Sequence, residues 1–158
     1  MKKKGFTLIE LLIVIAIIGL VAAIAIPNLL VALQKGKQKS TMANMRNIGT
    51  AVESYVTDNY ISPGGGTITI VAGLLPFLIP FHTSALPIKD HWGADFVFTS
   101  GLIGTGFEDS YSIISYGRKS TPGVIDTTKN NYEVTSIEHF NNDICFSKGS
   151  FTYGPKLK

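Results

Sequence analysis

Apolar and polar residues are distributed unevenly along this chain. No charged residue occurs from Leu11 to Gln34, and the run is almost wholly apolar as far as Leu33. That exceeds the roughly 20 residues a membrane-crossing helix needs. From Met42 the pattern changes: Met42, Met45, Ile48, Val52, Tyr55 and Val56 recur at steps of three and four, with Arg46, Asn47, Glu53 and Asp58 mostly on the other side. Such spacing predicts an amphipathic helix with one buried face. Residues 34–40 (QKGKQKS) lie between the two patterns, are polar and basic, and read as the membrane exit, with Gly36 weakening the helix locally. The whole predicts one nearly continuous helix over residues 6–59, about 80 Å long. Pro27 lies inside it. A proline removes a helical hydrogen bond and clashes one turn back, which predicts a kink or a melted turn there.

Ser62-Pro63-Gly64-Gly65-Gly66 ends the helix. Residues 67–81 are apolar but broken by Gly73, Pro76 and Pro80, which suits a short strand or turn and then a short helix around 72–79. Residues 95–100 (DFVFTS) and 111–116 (YSIISY) read as two strands of a hairpin around Gly101, Gly104 and Gly106. The last third is turn-rich, with short strands expected at 132–135 and 144–147. The expected class is therefore α+β: a long N-terminal helix, transmembrane and then amphipathic, packed on a small antiparallel sheet.

Charge sharpens this picture. The net charge of +3 comes from Lys2, Lys3 and Lys4; without them 11 basic residues would balance 11 acids. Lysines just before an apolar run hold the N-terminus in the cytoplasm and place the C-terminal domain across the membrane. The run is too long for an ordinary secretory signal, although Ala22-Ala23 imitates a signal-peptidase site. No basic patch argues for nucleic acid. Cys145 is the sole cysteine, so no intramolecular disulfide forms; within Ile144-Cys145-Phe146 it reads as a small buried hydrophobe. His82, His91 and His139 are isolated, and no zinc-protease, CxxC, phosphate-loop or nucleophile-elbow pattern is present. No catalytic residue is expected.

The segment Gly5-Phe6-Thr7-Leu8-Ile9-Glu10 carries the most specific signal. A glycine lets a peptidase approach the backbone closely. A carboxylate within a membrane segment is costly and therefore points to function. The order GFTLIE, after lysines and before a long apolar run, resembles the class III signal of the type IV pilin superfamily. The resemblance implies a type IV pilin-like fold, cleavage between Gly5 and Phe6 by a prepilin peptidase, and N-methylation of Phe6. It also implies filament assembly in which Glu10 pairs with a neighbour's terminal amine and Pro27 marks a stretch that melts. The alternative for Glu10 is snorkelling to the headgroups. Implied partners are copies of the same chain, the peptidase/methyltransferase, minor pilins or pseudopilins, and an inner-membrane assembly platform with its ATPase. The chain then divides into a leader (1–5), a transmembrane and filament-core helix (6–34), the amphipathic half (35–60) and a β-rich globular domain (61–158). A fragment starting near Ser40 is expected to fold alone.

A second stretch, Leu86-Pro87-Ile88-Lys89-Asp90-His91-Trp92-Gly93, followed by the strand ending Ser115-Tyr116-Gly117, resembles the major pseudopilin of type II secretion systems. Asp90, Trp92, Gly93 and Gly117 match its pattern. His91, Ala94-Asp95 and Arg118-Lys119-Ser120 depart from it. Asp90 and Gly93 suit a turn, and Trp92 is expected on the long helix or the hairpin. That family binds calcium in its C-terminal loop, for which Asp126 and Asp143, with Asn142 and Ser120, are the candidate oxygens here. Arg118 and Lys119 enter where the family is acidic, so no cofactor is assigned. The resemblance implies a periplasmic secretion filament, with a surface pilus subunit as the alternative.

Overall fold

The computed structural model describes residues 5–64, 68–101, 109–121 and 131–156. One helix, α1 (Leu8–Asn59), accounts for 52 of them. At 1.5 Å per residue it is about 78 Å long. It starts two residues later than the apolar pattern predicts because Thr7 is extended and caps it. It also runs unbroken through Pro27 and Gly36 in the single chain. Beside Pro27, the Asn28 side-chain amide donates to the carbonyl of Ile24 at 3.2 Å. The helix ends at Tyr60, which takes a left-handed conformation (φ 62°) and donates its N–H to the Val56 carbonyl, ahead of the Ser62-Pro63 turn.

After the helix come β1 (Ile68–Ile70), a 3₁₀ turn (Val71–Leu74) and one helical turn, α2 (Leu75–Leu78). The strands β2 (Val97–Ser100), β3 (Tyr111–Ser115), β4 (Ile144–Ser147) and β5 (Ser150–Tyr153) follow. All five strands form one antiparallel sheet in sequence order, a simple meander. The expected β2–β3 hairpin forms, with Val97 opposite Ile114 and Ser100 opposite Tyr111.

Two expectations for the last third change. Residues 132–135 form no strand: only Tyr132 bridges, in parallel, to Pro155. Tyr132 N–H donates to Gly154 O and Lys156 N–H donates to Tyr132 O, one pair of parallel-ladder bonds, and the pairing goes no further among the described residues. Conversely, β5 is an unexpected strand, although Ser150-Phe151-Thr152-Tyr153 alternates polar and aromatic residues. It pairs with β4 around Lys148-Gly149, both at positive φ, the two-residue turn that matches strand twist.

The core lies between the second half of α1 and one face of the sheet. Met42, Met45, Ile48 and Val52 face Phe98, Ile113, Ile144 and Phe146, closed off by Val71, Leu74 and Leu78. Phe146 enters the helix surface at Gly49, where an added Cβ would stand 2.2 Å from its ring. A glycine therefore sits mid-helix despite its cost of about 1 kcal/mol. Cys145 points to the opposite sheet face and is buried, and that burial raises its thiol pKa.

Candidate functional site

At the N-terminus, Gly5 and Phe6 precede the first helical turn and are exposed, so their peptide bond lies outside the helix. Thr7 then builds a reciprocal cap with Glu10. The Glu10 carboxylate accepts from the Thr7 N–H at 2.8 Å and the Thr7 hydroxyl at 2.7 Å, and the Glu10 N–H donates back to Thr7 Oγ1 at 3.3 Å. This capping box satisfies helix-end donors that would otherwise have no intrahelical partner. Thr7 was not singled out among the site residues, although the Thr-x-x-Glu spacing before an apolar run was legible. In a single subunit, then, Glu10 is engaged by its own helix end.

Beyond the cap, the large apolar side chains from Leu8 to Leu33, all but half-buried Val31, are left bare, among them Ile9, Ile15, Leu20, Ile24 and Leu29. This segment alone is long and apolar enough to cross a membrane among the described residues. Partial covering sets in at Val31 and Gln34, and three loop elements build the junction around it.

The first is the turn at residues 90–94. Buried Asp90 accepts from the N–H groups of Trp92 (3.0 Å) and Ala94 (2.9 Å) through Oδ1, and from the Ser115 hydroxyl (2.9 Å) through Oδ2. Gly93 completes the turn at φ 95° and donates to the Asp90 carbonyl. The turn then grips the helix twice: Trp92 Nε1–H donates to Gln34 Oε1 at 2.8 Å, and the His91 N–H donates to Thr41 Oγ1 at 3.2 Å.

The second is Gly117, at φ 62° after β3. A Cβ there would lie 2.5 Å from the Phe140 carbonyl oxygen and 2.7 Å from that of Asn142. Both backbone conformation and space demand glycine. Asp90, Trp92, Gly93 and Gly117 thus belong to one junction joined through Ser115, whose hydroxyl also accepts from the Gly117 N–H. The third is the C-terminal segment, where Gln38 donates to the Tyr132 hydroxyl at 3.3 Å. Gln34, Gln38 and Thr41 carried no sequence signal for these contacts, because their partners lie far away in the chain, whereas Ser115 stands in the stretch that resembles the pseudopilin pattern.

Of the candidate calcium oxygens, Asp126 lies outside the described residues and Asp143 is buried beside β4. Arg118 donates to Asn141 at 3.1 Å, bringing a cation to this corner. Among the described residues no group of three His, Cys, Asp or Glu side chains converges. Calcium needs about six to eight oxygens, so these residues alone do not make its cage. The histidines make separate local contacts: His82 with Ser54 and Asp58, and His139 Nδ1 accepting from the Thr135 and Ser136 N–H groups.

Residues 1–26 match the family described as the prokaryotic N-terminal methylation motif. The type II secretion system core protein G of Escherichia coli is 30% identical over 136 residues, covering 82% of this chain and 91% of that protein. The type IV major pilin protein of Myxococcus xanthus is 46% identical over 57 residues, 36% of this chain and 26% of its own length. The major component of the type IV wide pilus of Thermus thermophilus is 50% identical over 56 residues, 35% of this chain and 43% of that one. No solved structure matches the chain significantly.

Proposed function

The chain belongs to the type IV pilin superfamily, in the family of the type II secretion system core protein G, and from that premise we propose that it is the major-type pseudopilin of a secretion filament. It is a pilin-type structural subunit with a membrane-anchored precursor. In the proposal, a prepilin peptidase cuts at Gly5–Phe6 and methylates Phe6. The subunit waits in the inner membrane with residues 6–34 spanning it and residues 61–158 in the periplasm. An inner-membrane platform and its ATPase then draw it into a helical homopolymer started or tuned by minor pseudopilins.

One observation carries this reading. A single continuous helix is bare over most of its first half and packed on a sheet over its second. Lipid can cover the bare half in the membrane pool. In a filament, the same half of neighbouring subunits can cover it, so extraction exchanges one apolar environment for another. Placement outside the helix also supports Gly5–Phe6 as the cleavage site, because a peptidase needs extended backbone.

Pseudopilin is favoured over pilus subunit because similarity to the secretion protein runs through the globular domain, whereas similarity to the pilins spans about the length of the helix. Deleting the gene tests this choice. Loss of exoprotein export with intact surface pili supports it, and loss of pili with normal export refutes it. Mass spectrometry of the membrane protein should find a chain beginning at methyl-Phe6; a terminus near Ala23 would refute the processing step.

A further inference from the structure

A cavity of about 270 Å³ opens between α1 and the C-terminal segment, just beyond the bare half of the helix. Lys35, Gln38, Lys39 and Met42 line it from the helix; residues 133–135, Pro155 and Lys156 line it from the other side. Its far wall is fixed, because residues 132 and 154–156 are tied by two main-chain hydrogen bonds of 2.9 Å. Gln38 joins the walls through Tyr132. Three lysines against the carboxylate of Glu133 leave the lining net positive, and Met42 and Pro155 add apolar surface.

The depth of this cavity selects its ligand. A hydrocarbon core of about 30 Å takes about 20 helical residues. Counted from Glu10, the first acid of the helix, the core ends near Leu30. Lys35 then stands about 7 Å beyond the hydrocarbon edge and Lys39 about 13 Å. The first lies in the headgroup layer, and the second can reach back on its flexible stem. We propose that this cavity binds the headgroup phosphate of an anionic phospholipid of the outer leaflet while the subunit waits in the membrane. Lys35, Lys39 and Lys156 hold the phosphate, and Met42 and Pro155 meet the glycerol end. The site would orient the globular domain over the membrane and would empty when the subunit is extracted. The inference rests on residues 8–33 spanning the membrane.

The test uses the full chain in neutral detergent, titrated with dihexanoyl phosphatidylglycerol below its micellar concentration and read by native mass spectrometry. One lipid should bind saturably, with dihexanoyl phosphatidylcholine and inorganic phosphate binding far more weakly. Lys35→Gln with Lys39→Gln should weaken binding at least about tenfold, as expected for losing two charge-assisted contacts. Lys37→Gln, on the same basic segment but outside the cavity, should change it less than about twofold. Equal loss with Lys37→Gln, equal binding of the zwitterionic lipid or of free phosphate, or a second copy of the chain found in place of lipid would overturn the proposal. Flotation with vesicles tests the membrane reading separately: a chain that does not float refutes both, whereas one that floats but shows no preference for the anionic lipid in the titration refutes only the cavity site.

Discussion

Ser115, at the end of β3, donates its hydroxyl to Asp90 Oδ2 at 2.9 Å, although 25 residues separate them. That bond fixes the turn at residues 90–94 to the sheet, and the turn in turn holds the helix. Asp90→Ala removes the acceptor for three donors at once. Hydrogen bonds to a charged group contribute about 1.5–3 kcal/mol, and orphaned buried donors add to the loss. A destabilisation of about 2–4 kcal/mol is expected, which lowers Tm by roughly 10–25 °C in a domain of this size. Asp90→Asn keeps the shape and one acceptor oxygen and should cost about half as much. Thermal melts followed by circular dichroism check both; an unchanged Tm in Asp90→Ala would show that the turn holds without its carboxylate.

The grip of Gln34 on Trp92 moves the useful boundary of the globular domain toward the membrane. A fragment starting at Ser40 loses Gln34 and Gln38, hence the bonds to Trp92 and Tyr132. Two net hydrogen bonds amount to about 1–3 kcal/mol. Fragments starting at Val31 and at Ser40 should both fold, with the longer one more resistant to urea by that amount. Equal urea midpoints would mean that residues 31–39 contribute nothing to the domain.

The helix was legible because periodicity is a local property: steps of three and four from Met42 to Val56 state their own geometry. Strands β2 and β3 were legible from alternation. The 132–135 segment misled because β-propensity describes the residues and not the partner they meet, and among the described residues only Tyr132 finds one, at Pro155. Strand β5 escaped because it is only four residues long, although Ser150–Tyr153 alternates polar and aromatic side chains after the glycine of the turn. At the functional end, GFTLIE announced the cleavage segment, and Asp90, Trp92, Gly93 and Gly117 announced the turn side of the clamp, while its partners on the helix stayed hidden. Its hydrogen bonds join residues 25 to 94 positions apart, and no single-sequence pattern encodes such pairs.

Two tyrosines should make the domain sensitive to alkali. Burial, followed by the adjacent Glu53 carboxylate, raises the pKa of Tyr111, whose hydroxyl donates to Glu53 at 2.7 Å; burial raises that of Tyr132. In the unfolded chain tyrosine ionises near pH 10, at about its ordinary pKa. Above that pH the unfolded state releases protons that the folded state still holds, so stability is fully present below about pH 10 and falls as pH rises. Urea denaturation at successive pH values should show this decline. Tyr111→Phe and Tyr132→Phe should each flatten it, even where they lower stability at neutral pH. An unaltered slope in the double variant would show that neither hydroxyl controls alkaline unfolding.

Thr7 and Glu10 allow two roles of one carboxylate to be separated. Within a subunit, Glu10 accepts two bonds from Thr7 and completes the cap. In the proposed filament the same carboxylate meets the terminal amine of a neighbouring Phe6, in a core of low dielectric. Losing an N-cap costs about 0.5–2 kcal/mol. Leaving one member of a buried ion pair without its partner costs about 3–5 kcal/mol, and it does so at every subunit of the polymer. Thr7→Val removes the capping hydroxyl and retains the charge, so it should leave filament yield within about twofold of normal. Glu10→Ala removes both roles and should give a processed subunit that stays in the inner membrane with few filaments. Glu10→Asp, which has a shorter reach, should fall between them. Cleavage should proceed in all three variants, because Gly5 and Phe6 lie outside the helix. Shearing and immunoblotting measure filaments, and the mass of the N-terminal peptide reports cleavage. Equal filament loss in Thr7→Val and Glu10→Ala would assign the effect to the cap, and normal yield from Glu10→Ala would remove the intersubunit pair from the assembly mechanism.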